Sequence, residues 1–141
     1  MAELTPEVKE LLDEPNLAHF VTLMKNGSPQ VTPVWVTHDG SHVLINTAEG
    51  RQKPRNLRRD PRVALSVVDR NSSQRYVQIR GRVVETVGGE PAWQSIEELS
   101  AKYSGNSSYP RRPGEERIIV KILPEHVSYR PGVRSQPQTS R

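Results

Sequence analysis

The stretch from Leu17 to Ala48, LAHFVTLMKNGSPQVTPVWVTHDGSHVLINTA, decides the fold. Two dipeptides punctuate it, Asn26-Gly27 and Asp39-Gly40. Each signals a two-residue hairpin turn, because asparagine, aspartate and glycine tolerate the positive φ such turns need. Leu17 to Lys25 runs into the first turn, Gln30 to His38 answers it, and His42 to Ala48 follows the second. Val31, Trp35 and their period-two neighbours read as one buried face. Three consecutive strands joined by tight turns predict an antiparallel meander.

Working outward, Thr5-Pro6 reads as a helix cap followed by proline at the first helical position. Leu4, Val8, Leu11 and Leu12 recur at helical spacing, so a helix is expected over 5–14, ended by Pro15. Beyond the meander, residues 51–59 read as a short helix and Arg62–Asp69 as a fourth strand. Arg70–Gln74 is a polar turn. Arg75–Val87 is a long fifth strand whose Gly81 predicts a bulge or bend. A helix over 90–103 places Trp93, Ile96, Leu99 and Tyr103 inward, with Glu97, Glu98 and Lys102 outside. Ser104–Glu115 is a loop rich in proline and glycine, and Arg117–Leu123 is the last strand, able to continue past Pro124 to Tyr129. The sum is a mainly β protein: a six-stranded antiparallel barrel with two to three peripheral helices. Residues 1–132 form this domain, and 133–141 are expected to be a disordered polar tail.

With 141 residues, a third of them apolar, the chain can build one ordinary core and not two. No apolar run approaches the roughly 20 residues of a membrane span, so no membrane partner is expected. The absence of cysteine excludes disulfides, iron–sulfur clusters and thiolate zinc sites. With the acidic, polar start MAELTPEVKELLDEP, it points to the cytoplasm. The net charge of +4 is concentrated. Six basic residues and one acid lie between Arg51 and Arg62, which leaves the other 129 residues nearly neutral.

Familiar catalytic constellations are missing. The chain has no G-x-x-x-x-G-K-[ST], no G-x-G-x-x-G, no G-x-S-x-G and no H-E-x-x-H. His38 and His42 flank a turn and read as solvated side chains rather than metal ligands, so no metal is expected and no catalytic residue is named. An anion site is present in outline. A strand ending in Thr47 passes through Ala48-Glu49-Gly50 into a helix whose first turn carries Arg51 and Lys53. Unpaired amides and the positive end of the helix dipole suit phosphate there. The arginine adds a planar fork and the lysine a point charge. Asn56 follows on the same face as Lys53. A solvated basic helix that binds nothing is the competing reading.

The segment Thr47-Ala48 followed by Arg51-Gln52-Lys53-Pro54-Arg55-Asn56-Leu57-Arg58-Arg59-Asp60-Pro61-Arg62-Val63-Ala64-Leu65 resembles the split-β-barrel flavin and deazaflavin oxidoreductases, the superfamily of pyridoxamine-phosphate oxidase. The resemblance is to its actinobacterial-type branch, whose members use the deazaflavin coenzyme F420. It extends to Gly27–Trp35 (GSPQVTPVW) and to Leu123–Val127 (LPEHV) running to Arg130-Pro131-Gly132, about residues 5–132 in all. It implies a split barrel with the cofactor phosphate on Lys53, helped by Arg51, Gln52 and Asn56. Gln30, Thr32, Pro33, Thr47 and Ala48 would lie along the ring system or ribityl chain. Tyr76 falls where the family places contacts often contributed by a second subunit, so the resemblance implies a homodimer.

The resemblance thus implies an oxidoreductase passing a hydride from coenzyme F420 to a small conjugated organic acceptor. Flavin mononucleotide (FMN) is the alternative cofactor, and binding without catalysis is a further reading. The loop around Tyr109–Arg112 could act as a lid or meet an acidic group. A nucleic-acid-binding barrel is disfavoured, because the chain has only seven aromatic residues and none lies inside the basic run to stack on bases.

Overall fold

A strand that must bury one face alternates inward and outward side chains, and most strands of this chain do so around one core. The computed structural model describes residues 2–133. In chain order the elements are α1 (Pro6–Asp13), β1 (Ala18–Leu23), β2 (Pro29–Val34), β3 (Val36–His38), β4 (Val43–Ala48), α2 (Gln52–Arg59), β5 (Arg62–Asp69), β6 (Ser72–Val87), α3 (Glu90–Ser104) and β7 (Arg117–Arg130). The strands form one antiparallel sheet in the order β2-β1-β5-β6-β7-β4-β3. Phe20, Ile45, Leu65, Ile79 and Ile122 fill the inside of its curl, and Val8, Leu11 and Leu12 of α1 join them. The tail expected over 133–141 lies, Val133 apart, outside the described residues.

The sheet has seven strands where the sequence predicts six. Residues 30–38 do not form one strand answering two hairpins. β2 pairs with β1 and β3 pairs with β4, so the two lie on opposite edges of the sheet although only Trp35 separates them in the chain. A straight strand cannot pair with both edges, so the backbone turns at Trp35 and carries the chain from one edge to the other. The expected meander therefore resolves into two separate hairpins.

The polar groups freed at this kink are taken up by side chains of α3, as buried backbone groups require. The Val36 N–H donates to Tyr103 Oη at 3.1 Å, and that hydroxyl donates to the Asn16 carbonyl at 2.6 Å. Lys102 Nζ donates to the carbonyls of Leu12 and Val36 at 2.6 and 2.7 Å. Lys102 thus turns inward, not outward as its helical position predicts. Val31 is also reversed. It is 59% exposed, and Gln30, Thr32 and Val34 are the half-buried set of β2.

Other expectations hold. Thr5 caps α1, its hydroxyl accepting from the Val8 N–H at 3.3 Å. β6 begins three residues earlier than predicted, and its register with β7 shifts between Arg80 and Gly81. Gly81 faces Pro124 in this pairing, and a Cβ there would lie 2.1 Å from the Leu123 carbonyl oxygen. Only glycine admits the approach. Pro124, which has no N–H to donate, sits inside β7 at this irregularity.

Candidate functional site

β4 ends at Ala48, paired with Arg117 at the start of β7, and the Glu49 N–H donates to the Glu116 carbonyl at 2.9 Å. Gly50 then turns the chain with a φ of +86°. Arg51 is not in the first helical turn, as predicted, but is the extended residue that precedes α2, without a side-chain capping bond. Sheet end, glycine turn and helix start thereby bring Arg51 and Lys53 to the same cavity of about 320 Å³. Pro33, Val34 and Trp35 at the kink form one wall, and Asn46 and Thr47 of β4 form another. Ile96 and Leu99 of α3, Tyr109 of the following loop and Arg117 complete it, with Leu17 at its margin.

The charges in this cavity are unevenly matched. Burial, and then the neighbouring Arg51, hold the basicity of Lys53 below that of an ordinary lysine. Lys53 has no ion-pair partner among the described residues. Arg51 Nη2 stands 3.6 Å from Glu115 Oε2. Arg117 is only 4% exposed; its Nε donates to Asn46 Oδ1 at 2.9 Å and its Nη1 to Glu115 Oε2 at 3.1 Å. Its guanidinium also stands 5.5 Å from the Tyr109 ring centre. Trp35 is stacked on Tyr103, with centroids 5.3 Å apart and planes 8° from parallel, and meets Tyr109 edge-on. Helix α3 thus fixes one face of the indole that lines the cavity.

Asn56 is fully buried, and its bonds tie α2 to the first hairpin. Its Nδ2 donates to Thr22 Oγ1 at 2.9 Å and lies 3.4 Å from Gln30 Oε1, while its Oδ1 accepts from Gln52 Nε2 at 2.7 Å. Gln30, Gln52 and Asn56 therefore hold one another and seat α2, the helix that carries Lys53, against the first hairpin. The Thr32 hydroxyl is buried without any partner. An orphaned buried hydroxyl costs about 1–3 kcal/mol, so it marks a position where a bound group could supply the missing bond.

Of the residues assigned from sequence, Pro33, Thr47, Arg51 and Lys53 line the cavity. Ala48 is buried beside Thr47 at the end of β4. Tyr76 lies elsewhere in the chain, on an outer cleft with His19, Val21 and Val31. The other basic residues of the cluster are engaged: Arg58 pairs with Glu49, Arg62 with Asp60, Arg55 bonds the Gly50 carbonyl, and Arg59 donates to the Leu23 carbonyl at 3.4 Å. In the loop, Arg111 pairs with Glu90 at 2.7 Å and lies over Trp93. Arg117, Asn46 and Glu115 were missed. An arginine opening an amphipathic strand reads as solvated, and only the pairing of β7 with β4 reveals its burial.

This geometry has known counterparts. The described family Pyridoxamine 5'-phosphate oxidase matches residues 4–130. An F420 reductase of known structure is 31% identical, superposes with a TM-score of 0.75, and is matched over 94% of its length by 85% of this chain. A conserved hypothetical protein from Mycobacterium tuberculosis is 22% identical with a TM-score of 0.72, the match covering 100% of this chain and 95% of that one. HupZ from Group A Streptococcus shares the fold at 18% identity and a TM-score of 0.64, over 94% of this chain and 98% of its own. No curated protein matches this chain in sequence. With the curled antiparallel sheet, the kinked closing strand and a family match that spans nearly all of the described residues, the chain belongs to the pyridoxamine 5'-phosphate oxidase family, in the split-barrel superfamily.

Proposed function

We propose that this protein is an oxidoreductase that binds the deazaflavin coenzyme F420 in the cavity at the start of α2 and serves hydride transfer to a small conjugated organic acceptor. The observation that carries the reading is the pair Arg51 and Lys53. Two cations converge on one cavity, one of them half-buried without a counterion, and such an arrangement is stabilised by an incoming anion. The likeness to an F420 reductase at 31% identity supports the deazaflavin over other ring systems.

In this reading Lys53 and Arg51 hold the phosphate, and Asn56 with Gln52 and Gln30 keeps α2 seated so that Lys53 points inward. Pro33, Thr47 and Ala48 line the ring and its ribityl chain, and the Thr32 hydroxyl gains a partner. Trp35, fixed by Tyr103, and Ile96 and Leu99 exclude water from the reacting face. When bound, the coenzyme supplies the hydride chemistry, which fits a cavity without an evident acid, base or nucleophile. The apolar outer face that carries Val31 and Tyr76, 59% and 37% exposed, is assigned to a second copy of the chain. The resulting homodimer buries surface that a monomer leaves in water, and Tyr76 then belongs to the interface.

The test is titration of the purified chain with F420 and, separately, FMN, followed by cofactor fluorescence. Saturable binding of F420 with weaker binding of FMN is expected. Turnover with the reduced coenzyme and conjugated acceptors then follows from the absorbance of the oxidised form. Tighter binding of FMN would move the protein to the flavin branch, and failure of both to bind would remove the reading.

A further inference from the structure

Beside the cavity, one carboxylate stands between two of its cations, Arg51 and Arg117. Glu115 belongs to the loop between α3 and β7, and its side chain is 13% exposed. Its Oε2 accepts from Arg117 Nη1 at 3.1 Å and faces Arg51 Nη2 at 3.6 Å, while its Oε1 is buried with no partner. Glu115 therefore shares Arg51 with any anion that Arg51 and Lys53 attract. A carboxylate one guanidinium away from a bound anion repels it, and the repulsion grows with each charge the anion carries.

We propose that Glu115 is a specificity-determining residue that lowers the affinity of this site for a phosphomonoester, with nearly two negative charges, more than its affinity for a phosphodiester, with one. A monoester carries about −1.5 to −2 at pH 7, its second ionisation lying near pH 6. The inference rests on the reading of this cavity as the cofactor site and says which phosphate the site takes. In F420 the phosphate is a diester joining the ribityl chain to the lactyl tail; in FMN it is a terminal monoester. Arg51 and Lys53 attract either one and cannot separate them by kind. Glu115 is the neighbouring group whose interaction changes sign against theirs, so it sets the cost of the second charge. Arg117, which also lines the cavity and pairs with Glu115 at 3.1 Å, offsets part of this repulsion and leaves the difference between one charge and two.

The experiment uses FMN and the monomethyl ester of its phosphate, which share ring and ribityl chain and differ by one charge. Binding to the wild-type chain, Glu115→Gln and Glu115→Asp is measured by flavin fluorescence at pH 7.5. The wild type is expected to show a lower ratio of FMN affinity to ester affinity than Glu115→Gln. Glu115→Gln should raise the affinity for FMN about tenfold and that for the ester less than about threefold, while Glu115→Asp, which keeps the charge, keeps the wild-type ratio. An equal gain for both ligands in Glu115→Gln would overturn the proposal, since the carboxylate would then merely fill an empty seat and move aside. So would a Glu115→Asp variant whose ratio of FMN affinity to ester affinity rises as that of Glu115→Gln does. If neither compound binds any of the three folded proteins while F420 does, the inference fails alone, as it does if both bind with the same ratio in wild type and Glu115→Gln; if F420 does not bind either, the cofactor reading fails and the inference falls with it.

Discussion

Lys53 is a cation held partly out of water with nothing among the described residues to balance it. A charged hydrogen bond contributes about 1.5–3 kcal/mol, so Lys53→Ala should weaken F420 binding roughly 10- to 150-fold. Its thermal unfolding should be unchanged or slightly improved, because the substitution removes a desolvated charge. Fluorescence titration alongside circular dichroism checks both, and an unaltered Kd in a folded variant would remove Lys53 from the phosphate. This residue was legible because its context is local: a glycine turn, two cations two residues apart and a proline inside the first helical turn are all adjacent in the chain. The partners of Asn56 were not. Thr22 and Gln30 lie 34 and 26 residues away, and hairpin and helix must be assembled before the bonds can be seen. Glu115 and Arg117 were hidden for the same reason, one in a polar loop and the other opening a strand.

Among the elements, β6 and β7 depend on one close approach. Gly81→Ala would drive a Cβ into the Leu123 carbonyl, backbone that cannot swing aside, and should destabilise the fold by more than about 2 kcal/mol. Urea unfolding measures it, and an alanine variant as stable as wild type would contradict the register drawn here. Helix α3 offers a pH-dependent check. Burial lowers the pKa of Lys102 to about 8, against an ordinary value of 10.5. Between those values the unfolded chain keeps a proton that the folded chain has released, so this group makes stability rise with pH across that window and penalises the fold below it. The difference in Tm between wild type and Lys102→Gln should therefore grow in favour of wild type from pH 8 to 10. A difference independent of pH would mean the ammonium is not desolvated. The periodicity of α3 was readable, yet it assigned Lys102 to solvent, because nothing in a helical repeat reveals an unsatisfied strand kink nearby. The kink escaped notice for a related reason. Residues 30–38 alternate well enough for one strand, and only the closure of the sheet makes Trp35 a corner.

At the scale of the whole molecule, the turn signals and the alternating strands were sufficient for a curled antiparallel sheet with helices outside it, though not for the placing of β2 and β3 on opposite edges. Val31 shows why. A β-branched residue in a strand reads as core, but the face it occupies looks outward, and a partner chain is not written in one sequence. Val31→Lys should leave the monomer's stability nearly unchanged, as its side chain is mostly exposed, and should shift a wild-type dimer towards monomer in size-exclusion chromatography with light scattering. A wild type that is monomeric at high concentration would contradict the assignment of that face. The central claim is that the helix start beside the β2–β4 wall holds the phosphate of a redox cofactor, and a crystal structure of the chain with F420 tests it most directly. The account predicts phosphate oxygens about 3 Å from Lys53 and Arg51, with the ring lying along Pro33 and Thr47. A cofactor bound away from the start of α2, or a cavity closed by the protein's own side chains with the coenzyme absent, would contradict it.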